Sequence, residues 1–547
     1  MKKILLTVFA VGMATYASAC TSLIVGKNAS ADGSVFVTYN ADDYGMFIGL
    51  SHFAAGHHAK GEMRKIVDRD TYVFHGEIPE AEETYNVIGN INEYQVSIGE
   101  TTYGGREEMV DTTGMIDYGS LMNLGLQRSK TAREAIKVMT SLVEKYGYMS
   151  EGETFTIADP NEAWILEMMG MGPGSHSAVW VAVRVPDDCI CAHANQSRIR
   201  KFDMNDKKNV MYSKNVIKYA RRMGWFKGKD SDFSWEQAYA PDDFEARRFC
   251  EARVWSFFNR FCTGMNRYLD YAMGKVENAE PIPLFMKPEH KIALADVETA
   301  MRDHYEGTPF ALDKDLGQGM YGMPYRPTPL VFEVDGKKYF NERPTSTQQT
   351  GFTYVCQLRS WLPRQIGGII WFGNDDGNMV PYTPIYCCSE RQPECYATPG
   401  ADAVTFSWKN AFWVCNWVSN MTYPRYSMLF PSLKEVRDSL DKSYFAAQGS
   451  VEAKAQQLLN VDAKKAITYL TDYSVEKSQQ MLERWKQLGM YLVVKYNDMT
   501  VKPDNGGTFT RTKEGIGVRV VRPGYPQDYA RKLVEQTGDK FLYPVKK

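Results

Sequence analysis

Cys20 stands directly after Ala17-Ser18-Ala19, an A-x-A site of the kind signal peptidase cuts, so one cleavage would make it an N-terminal residue. A thiol and a free α-amine on one residue form a nucleophile with its own base. The α-amine has an ordinary pKa of about 7.7–8.0, near operating pH, whereas an internal peptide nitrogen has no basicity to offer. It can take the thiol proton, directly or through a water, and return it to a leaving amine, the logic of an N-terminal threonine activated by its own amine. A second chemistry is open to a cysteine at a cleavage site, acylation of amine and thiol as a membrane anchor. Ala17 stands where a lipoprotein signal prefers a large aliphatic residue, and the residues after Cys20 do not read as a polar tether.

The residues before the cysteine read as a secretory signal peptide over 1–19. Lys2 and Lys3 give a basic start, and the mostly apolar stretch 4–16 is shorter than the roughly 20 residues a membrane helix needs. No later apolar run reaches that length. The mature product is therefore expected to be exported, periplasmic or extracellular, without a membrane span. Loss of Lys2 and Lys3 with the leader leaves 528 residues carrying 62 basic against 66 acidic side chains, a formal net charge of −4. That balance excludes a nucleic-acid or anionic membrane surface as the expected partner. With 44% apolar and 13% aromatic residues the composition is globular, and the length suggests one main core plus accessory elements.

The elements that must hold Cys20 follow at once. Thr21 to Gly26 and Val35 to Asn40 are β-rich and flank a turn containing Gly33, so the cysteine begins an ordered hairpin. Strand-like runs dominate residues 20–110. Ala132, Ile136, Met139 and Val143 recur at helical spacing within residues 129–145, and strand character returns over 154–167 and 178–185. Asp335-Gly336 reads as a hairpin turn before Phe340-Asn341-Glu342-Arg343-Pro344, and residues 450–494 read as two helices joined by a turn.

Other cysteines carry weaker signals. A strand would put Cys189, Cys191 and His193 on one face, which fits a buried strand better than a zinc site because no second ligand pair has suitable spacing. Bridges between Cys250 and Cys262, or among Cys387, Cys388 and Cys395, are compatible with export.

Several segments together carry a family resemblance. Cys20-Thr-Ser-Leu-Ile-Val-Gly with Asn40-Ala41-Asp42-Asp43 is followed by Asn92-Glu93, Ile98-Gly99-Glu100-Thr101-Thr102 and Glu162-Ala163-Trp164-Ile165-Leu166-Glu167. His193-Ala194-Asn195-Gln196-Ser197-Arg198-Ile199, His304-Tyr305-Glu306-Gly307-Thr308-Pro309, Cys356-Gln357-Leu358-Arg359 and Pro523-Gly524-Tyr525-Pro526 complete the series. In this order they resemble the secreted dipeptidases, the dipeptidase A-like cysteine peptidases of the N-terminal-nucleophile hydrolase superfamily. The resemblance implies an α+β fold, a four-layer αββα sandwich with insertions over 20–430 and a mainly helical C-terminal extension over 431–547.

It also implies roles. Cys20 is the nucleophile and Asp42 the carboxylate that holds its amine and thiol, although Asp42-Asp43-Tyr44-Gly45 also reads as an Asx turn. Asn195 resembles the asparagine that related bile-salt and penicillin acylases direct at the tetrahedral intermediate. Thr102 occupies the place of their oxyanion-hole asparagine or tyrosine, so its N–H or hydroxyl would substitute; Asn92 also reads as a turn residue. The acylases carry an arginine three residues before the aspartate, where this chain has Tyr39, and Arg248 or Arg253, within a helical stretch over 242–260, would replace it. No cofactor or metal is implied. The expected function is an exported cysteine dipeptidase acting on dipeptides, with an acylase of non-peptide amides and a lipidated non-enzymatic surface protein as the competing readings.

Overall fold

A computed structural model describes residues 20–397 and 400–544. The signal peptide expected at 1–19 lies outside the described residues. The opening hairpin forms as expected, from β1 (Ser22–Val25) and β2 (Val35–Asp42). There follow β3 (His52–Phe53), β4 (Val87–Ile88), β5 (Ile91–Asn92) and β6 (Ser97–Gly104), then α1 (Tyr118–Gln127) and α2 (Ala132–Tyr146). The middle of the chain gives β7 (Gly152–Ala158), β8 (Ala163–Gly170), β9 (Ala178–Val185), β10 (Ile190–His193) and β11 (Val210–Tyr212). After α3 (Ala252–Phe261) and α4 (Leu294–Met301) come β12 (Thr350–Leu358), β13 (Ile369–Asn374) and β14 (Thr383–Tyr386). Helices α5 (Ala411–Thr422), α6 (Tyr426–Leu459) and α7 (Ala463–Tyr496) follow.

These strands make two large antiparallel sheets. One runs β10-β1-β2-β12-β13-β14, the other β11-β9-β8-β7-β6-β5-β4-β3. Alternation along β2 explains how they pack. Val35, Val37, Tyr39 and Ala41 share a core with Ile165, Met169, Val179 and Val181 of the second sheet. Phe36 points the other way, into a cluster with Val254, Phe257 and Phe258 of α3. The far side of the second sheet buries Phe155, Ile157, Trp164 and Leu166 against Ile136, Met139 and Val143 of α2. Thr131 caps that helix by accepting the Glu134 N–H. The protein is thus α+β, with apolar strand faces buried on both sides of each sheet.

The two C-terminal helices differ from expectation in extent. Each has 34 residues, and α6 starts at Tyr426, so it runs through position 430 rather than beginning after it. Leu429 and Leu433 join the core between the sheets, whereas Tyr444, Val451 and Ala455 cover the outer face of the first sheet. Asp335-Gly336 turns a hairpin with positive φ at both residues, as its sequence predicts. No helix among the described residues is long and apolar enough to cross a membrane.

The disulfides considered for Cys250 with Cys262, and among Cys387, Cys388 and Cys395, are not formed among the described residues. Twelve helical residues separate positions 250 and 262 by about 18 Å, far beyond bridging reach. Cys387 and Cys388 are sequence neighbours buried in different cores.

Candidate active site

The register of the first sheet brings the site together. Ser22 of β1 lies opposite His193 of β10, so the chain leaving β10 at Ala194 and Asn195 passes beside Thr21 and Cys20. Thr21 pairs with Asn40, which carries the end of β2, and Asp42, to the same place. Gly99 of β6 makes room on the facing sheet. A Cβ there would sit 2.9 Å from the Tyr354 hydroxyl and 3.5 Å from Cβ of Tyr39.

Cys20 is completely buried, and in this chain its nitrogen still belongs to the peptide bond with Ala19. Its Sγ donates toward the Tyr39 hydroxyl at 3.5 Å and Glu100 Oε1 at 3.7 Å. Tyr39 OH in turn donates to Glu100 Oε1. Burial raises the thiol pKa well above its ordinary value; the charges of Glu100 and Asp42 raise it further, against a lowering by the Asp42 backbone and Tyr39 hydrogen bonds. The thiol is therefore protonated at neutral pH in the uncut chain.

Asp42 is buried at the end of β2, where Arg343 Nη2 donates to Oδ2 at 2.6 Å and Thr350 Oγ1 to Oδ1 at 2.6 Å. Burial still leaves its pKa raised, with Arg343 and Thr350 opposing. The Asx-turn expectation is overridden by this location, since the carboxylate is held from strand β12 and from the segment after the Asp335-Gly336 hairpin. A cavity of about 190 Å³ adjoins it, lined by Asp43, Tyr44, Met46, Thr350, Phe412 and Trp413. A second cavity of about 250 Å³, lined in part by Glu93, Arg364 and Glu390, shares no residue with this site.

Of the two candidate arginines, Arg253 reaches the cysteine and Arg248 does not. Arg253 is buried, with Nη1 donating to the Cys20 carbonyl at 2.6 Å and Thr21 Oγ1 at 2.8 Å, and Nη2 donating to the Ala194 carbonyl at 3.0 Å and Asn195 Oδ1 at 2.9 Å. One guanidinium fork thus fixes the backbone of Cys20 and the Asn195 amide relative to each other. Arg248 instead forms an ion pair with Glu342.

Asn195 adopts a left-handed backbone, φ +63°, a conformation asparagine tolerates better than most residues. With Oδ1 held by Arg253, its Nδ2 donates to the Thr102 carbonyl at 2.7 Å. Thr102 uses its hydroxyl proton on Glu153 Oε1 at 2.7 Å. Asn92 behaves as the turn residue it resembles, with Oδ1 accepting the Tyr94 and Val96 N–H groups and Nδ2 donating to Leu126 and Ser129 carbonyls.

Glu100, Glu153 and Arg343 were not legible as site residues. Arg343 is 301 positions from the aspartate it holds. The two glutamates had a signal, an acid in each of two strands otherwise rich in threonine and apolar residues, at positions that the sheet buries completely.

His193 is a neutral structural histidine. Its Nδ1 lies 2.7 Å from Thr101 Oγ1 and its Nε2 2.6 Å from Thr156 Oγ1, and burial, followed by the nearby charge of Arg198, lowers its pKa to about 3. Below the ordinary histidine pKa of about 6.5, the unfolded chain binds a proton that the folded one refuses, so stability is lost as pH falls from about 6.5 toward 3. At pH 5 the loss from this residue is about 2 kcal/mol. Urea unfolding at pH 7 and 5 should show that increment in the wild type and its removal in His193→Gln.

Comparison with known proteins gives the family. The model of peptidase family C69 matches residues 19–60 and 57–438. A probable dipeptidase of Latilactobacillus sakei is 28% identical over 422 residues, covering 73% of this chain and 79% of the relative. A probable dipeptidase of Salmonella dublin is 29% identical over 391 residues, covering 67% and 81%. A probable dipeptidase B of Streptococcus pyogenes serotype M1 is 22% identical over 516 residues, covering 89% and 95%. The family match extends from the residue before Cys20 into the first half of α6, so the chain belongs to peptidase family C69, cysteine peptidases of the N-terminal-nucleophile superfamily.

Proposed function

We propose that the protein is an exported cysteine dipeptidase whose nucleophile and general base are the thiol and α-amine of Cys20, released together when residues 1–19 are removed. The observation that carries this reading is the convergence on one buried cysteine of a strand-end aspartate, Asn195 and the Arg253 fork that ties Asn195 to the cysteine's own carbonyl. The packing of two sheets face to face with helices outside fits the αββα N-terminal-nucleophile sandwich. The names of the relatives supply the substrate class.

In the mature chain the α-amine takes the thiol proton as Sγ attacks the peptide carbonyl. The negative charge that develops on the carbonyl oxygen is met by the Asn195 amide, a donor already oriented by Arg253. Collapse of the tetrahedral intermediate breaks the C–N bond, and the protonated α-amine gives its proton to the departing amino acid. A thioester on Cys20 remains. Water then loses a proton to the same amine, attacks the thioester and releases the second amino acid, restoring the thiol. Asp42, fixed by Arg343 and Thr350, orients the ammonium form of the amine. The cavity between Tyr44, Met46, Phe412 and Trp413 gives an apolar side chain a place beside that carboxylate.

An acylase of non-peptide amides fits the site less well, because an acid, Glu100, lies 3.7 Å from the thiol. A panel of dipeptides, tripeptides, N-acyl amino acids and bile-salt conjugates tests the assignment on the purified mature protein. Dipeptides are expected to be cleaved with the highest kcat/KM. Preferred cleavage of the acyl conjugates would overturn the reading.

A further inference from the structure

Glu100 is a fully buried carboxylate in contact with the nucleophile, and among the described residues no lysine or arginine forms an ion pair or hydrogen bond with it. Its Oε1 accepts from Tyr39 and Cys20, while its Oε2 has no hydrogen-bond partner among the described residues, with the carboxyl group of Glu153 as its acidic neighbour. Glu153 is equally buried and accepts from Thr102; burial, then the neighbouring Glu100, raise its pKa well above the ordinary carboxylate value, and burial raises that of Glu100 too. Two neighbouring buried carboxyls do not both ionise, so the pair carries at most one negative charge, which a nearby cation favours. The nearby cations are committed elsewhere, Arg253 to the Cys20 carbonyl and Asn195, Arg343 to Asp42. A buried anion without a cation is costly, and it is retained where a ligand supplies the missing charge.

We propose that Glu100, backed by Glu153 and oriented by Tyr39, is the subsite for the α-ammonium of the substrate's first residue, so that the enzyme requires an unblocked N-terminus. This rests on the dipeptidase reading above. The geometry is restrictive. In any peptide the α-nitrogen lies about 2.5 Å from the carbonyl carbon of its own residue, and that carbon must approach Sγ to about 3–3.5 Å for attack. The ammonium of a dipeptide's first residue is thus carried to within about 6 Å of the sulfur, and Glu100 Oε1, 3.7 Å from Sγ, is in position to accept from it. The Cys20 α-amine does not fill this role during catalysis because it must be neutral to accept the thiol proton. The same arrangement gives Tyr39 a purpose: an arginine in its place would neutralise Glu100, whereas a hydroxyl leaves the charge available.

The test compares mature wild type and Glu100→Gln on an alanyl dipeptide and on its N-acetyl derivative. Wild type is expected to cleave the free-amine dipeptide at least about 100-fold more efficiently than the acetylated one. Glu100→Gln should raise KM for the free-amine substrate by about 10- to 100-fold, the worth of one charge-assisted hydrogen bond, and leave kcat/KM for the acetylated substrate unchanged or higher. Undiminished discrimination in the variant would overturn the proposal. So would an equal fall of kcat on both substrates, which would mark Glu100 as a partner of the Cys20 amine. Wild type alone gives a second reading that does not depend on the variant folding. Alaninamide should inhibit at least about 10-fold more strongly than propionamide, its counterpart lacking the amine; equal inhibition would overturn the assignment. Failure of wild type to cleave any dipeptide would instead count against the dipeptidase reading.

Discussion

Cys20→Ala is expected to abolish dipeptide hydrolysis, with a loss in kcat on the order of 10⁶, the scale reached when a hydrolase loses its covalent nucleophile. The fold should survive. The side chain removes little volume, and the neighbouring hydrogen bonds from Arg253 go to the Cys20 carbonyl and to Thr21 rather than to sulfur. A stability change of about 1 kcal/mol is anticipated, so unchanged circular dichroism together with lost turnover separates chemistry from misfolding. Neither Cys191 nor Cys356 takes over. Cys191 and Cys356 are buried in strands with thiol pKa values pushed up to about 12, and neither is contacted by Asn195 or Arg253. Turnover retained in Cys20→Ala would remove the nucleophile from the account.

The second large effect concerns the amine. A chain that keeps Ala19 in front of Cys20 has the same thiol, the same Asp42 and the same Asn195, but its Cys20 nitrogen is an amide without basicity. The expected loss in kcat is about 10²- to 10⁴-fold, the usual contribution of a general base. Glu100 and Tyr39 do not compensate: Glu100 is engaged by the substrate ammonium in the assignment above, and Tyr39 gives its hydroxyl proton to Glu100. The comparison is made by fusing a cleavable tag so that trimming leaves either Cys20 or Ala19 first. Equal kcat from the two forms would show that the base lies elsewhere.

Local features of the fold were legible because their signals are local. The opening hairpin, the strands at 152–185, the helix after Thr131 and the Asp335-Gly336 turn each follow from periodicity or turn chemistry within a dozen residues. Cys20, Asp42 and Asn195 were expected from the family pattern, and the sheet register brings the segments that carry them together. What was not legible depends on contacts between distant strands and helices. Arg343 meets Asp42 only because β12 pairs with β2, and the segment before it carries the guanidinium alongside. Arg253 and Arg248 are five residues apart on one helical stretch and look alike in sequence; a change from π-helical to α-helical winding at Ala252 accompanies the separation of the one facing Cys20 from the one facing Glu342. Thr102 occupies the expected strand position, but its partner Glu153 belongs to the adjacent strand β7 and claims the hydroxyl that would otherwise have been available to an oxyanion. The start of α6 carries no local signal, since Pro431, its sixth residue, cannot donate an intrahelical bond to the carbonyl of Ser427 and ordinarily ends or kinks a helix; packing of Leu429 and Leu433 in the core carries the helix past it.

The central claim is that one cleavage makes both the nucleophile and its base. Intact-mass measurement of the purified exported protein, paired with its dipeptide turnover, tests this directly. The account predicts a chain that begins at Cys20, lacks residues 1–19 and carries an unmodified α-amine and thiol, and that this species holds all the activity. A diacylglyceryl cysteine with an acylated amine, or full turnover from chains still bearing residues before Cys20, would contradict it.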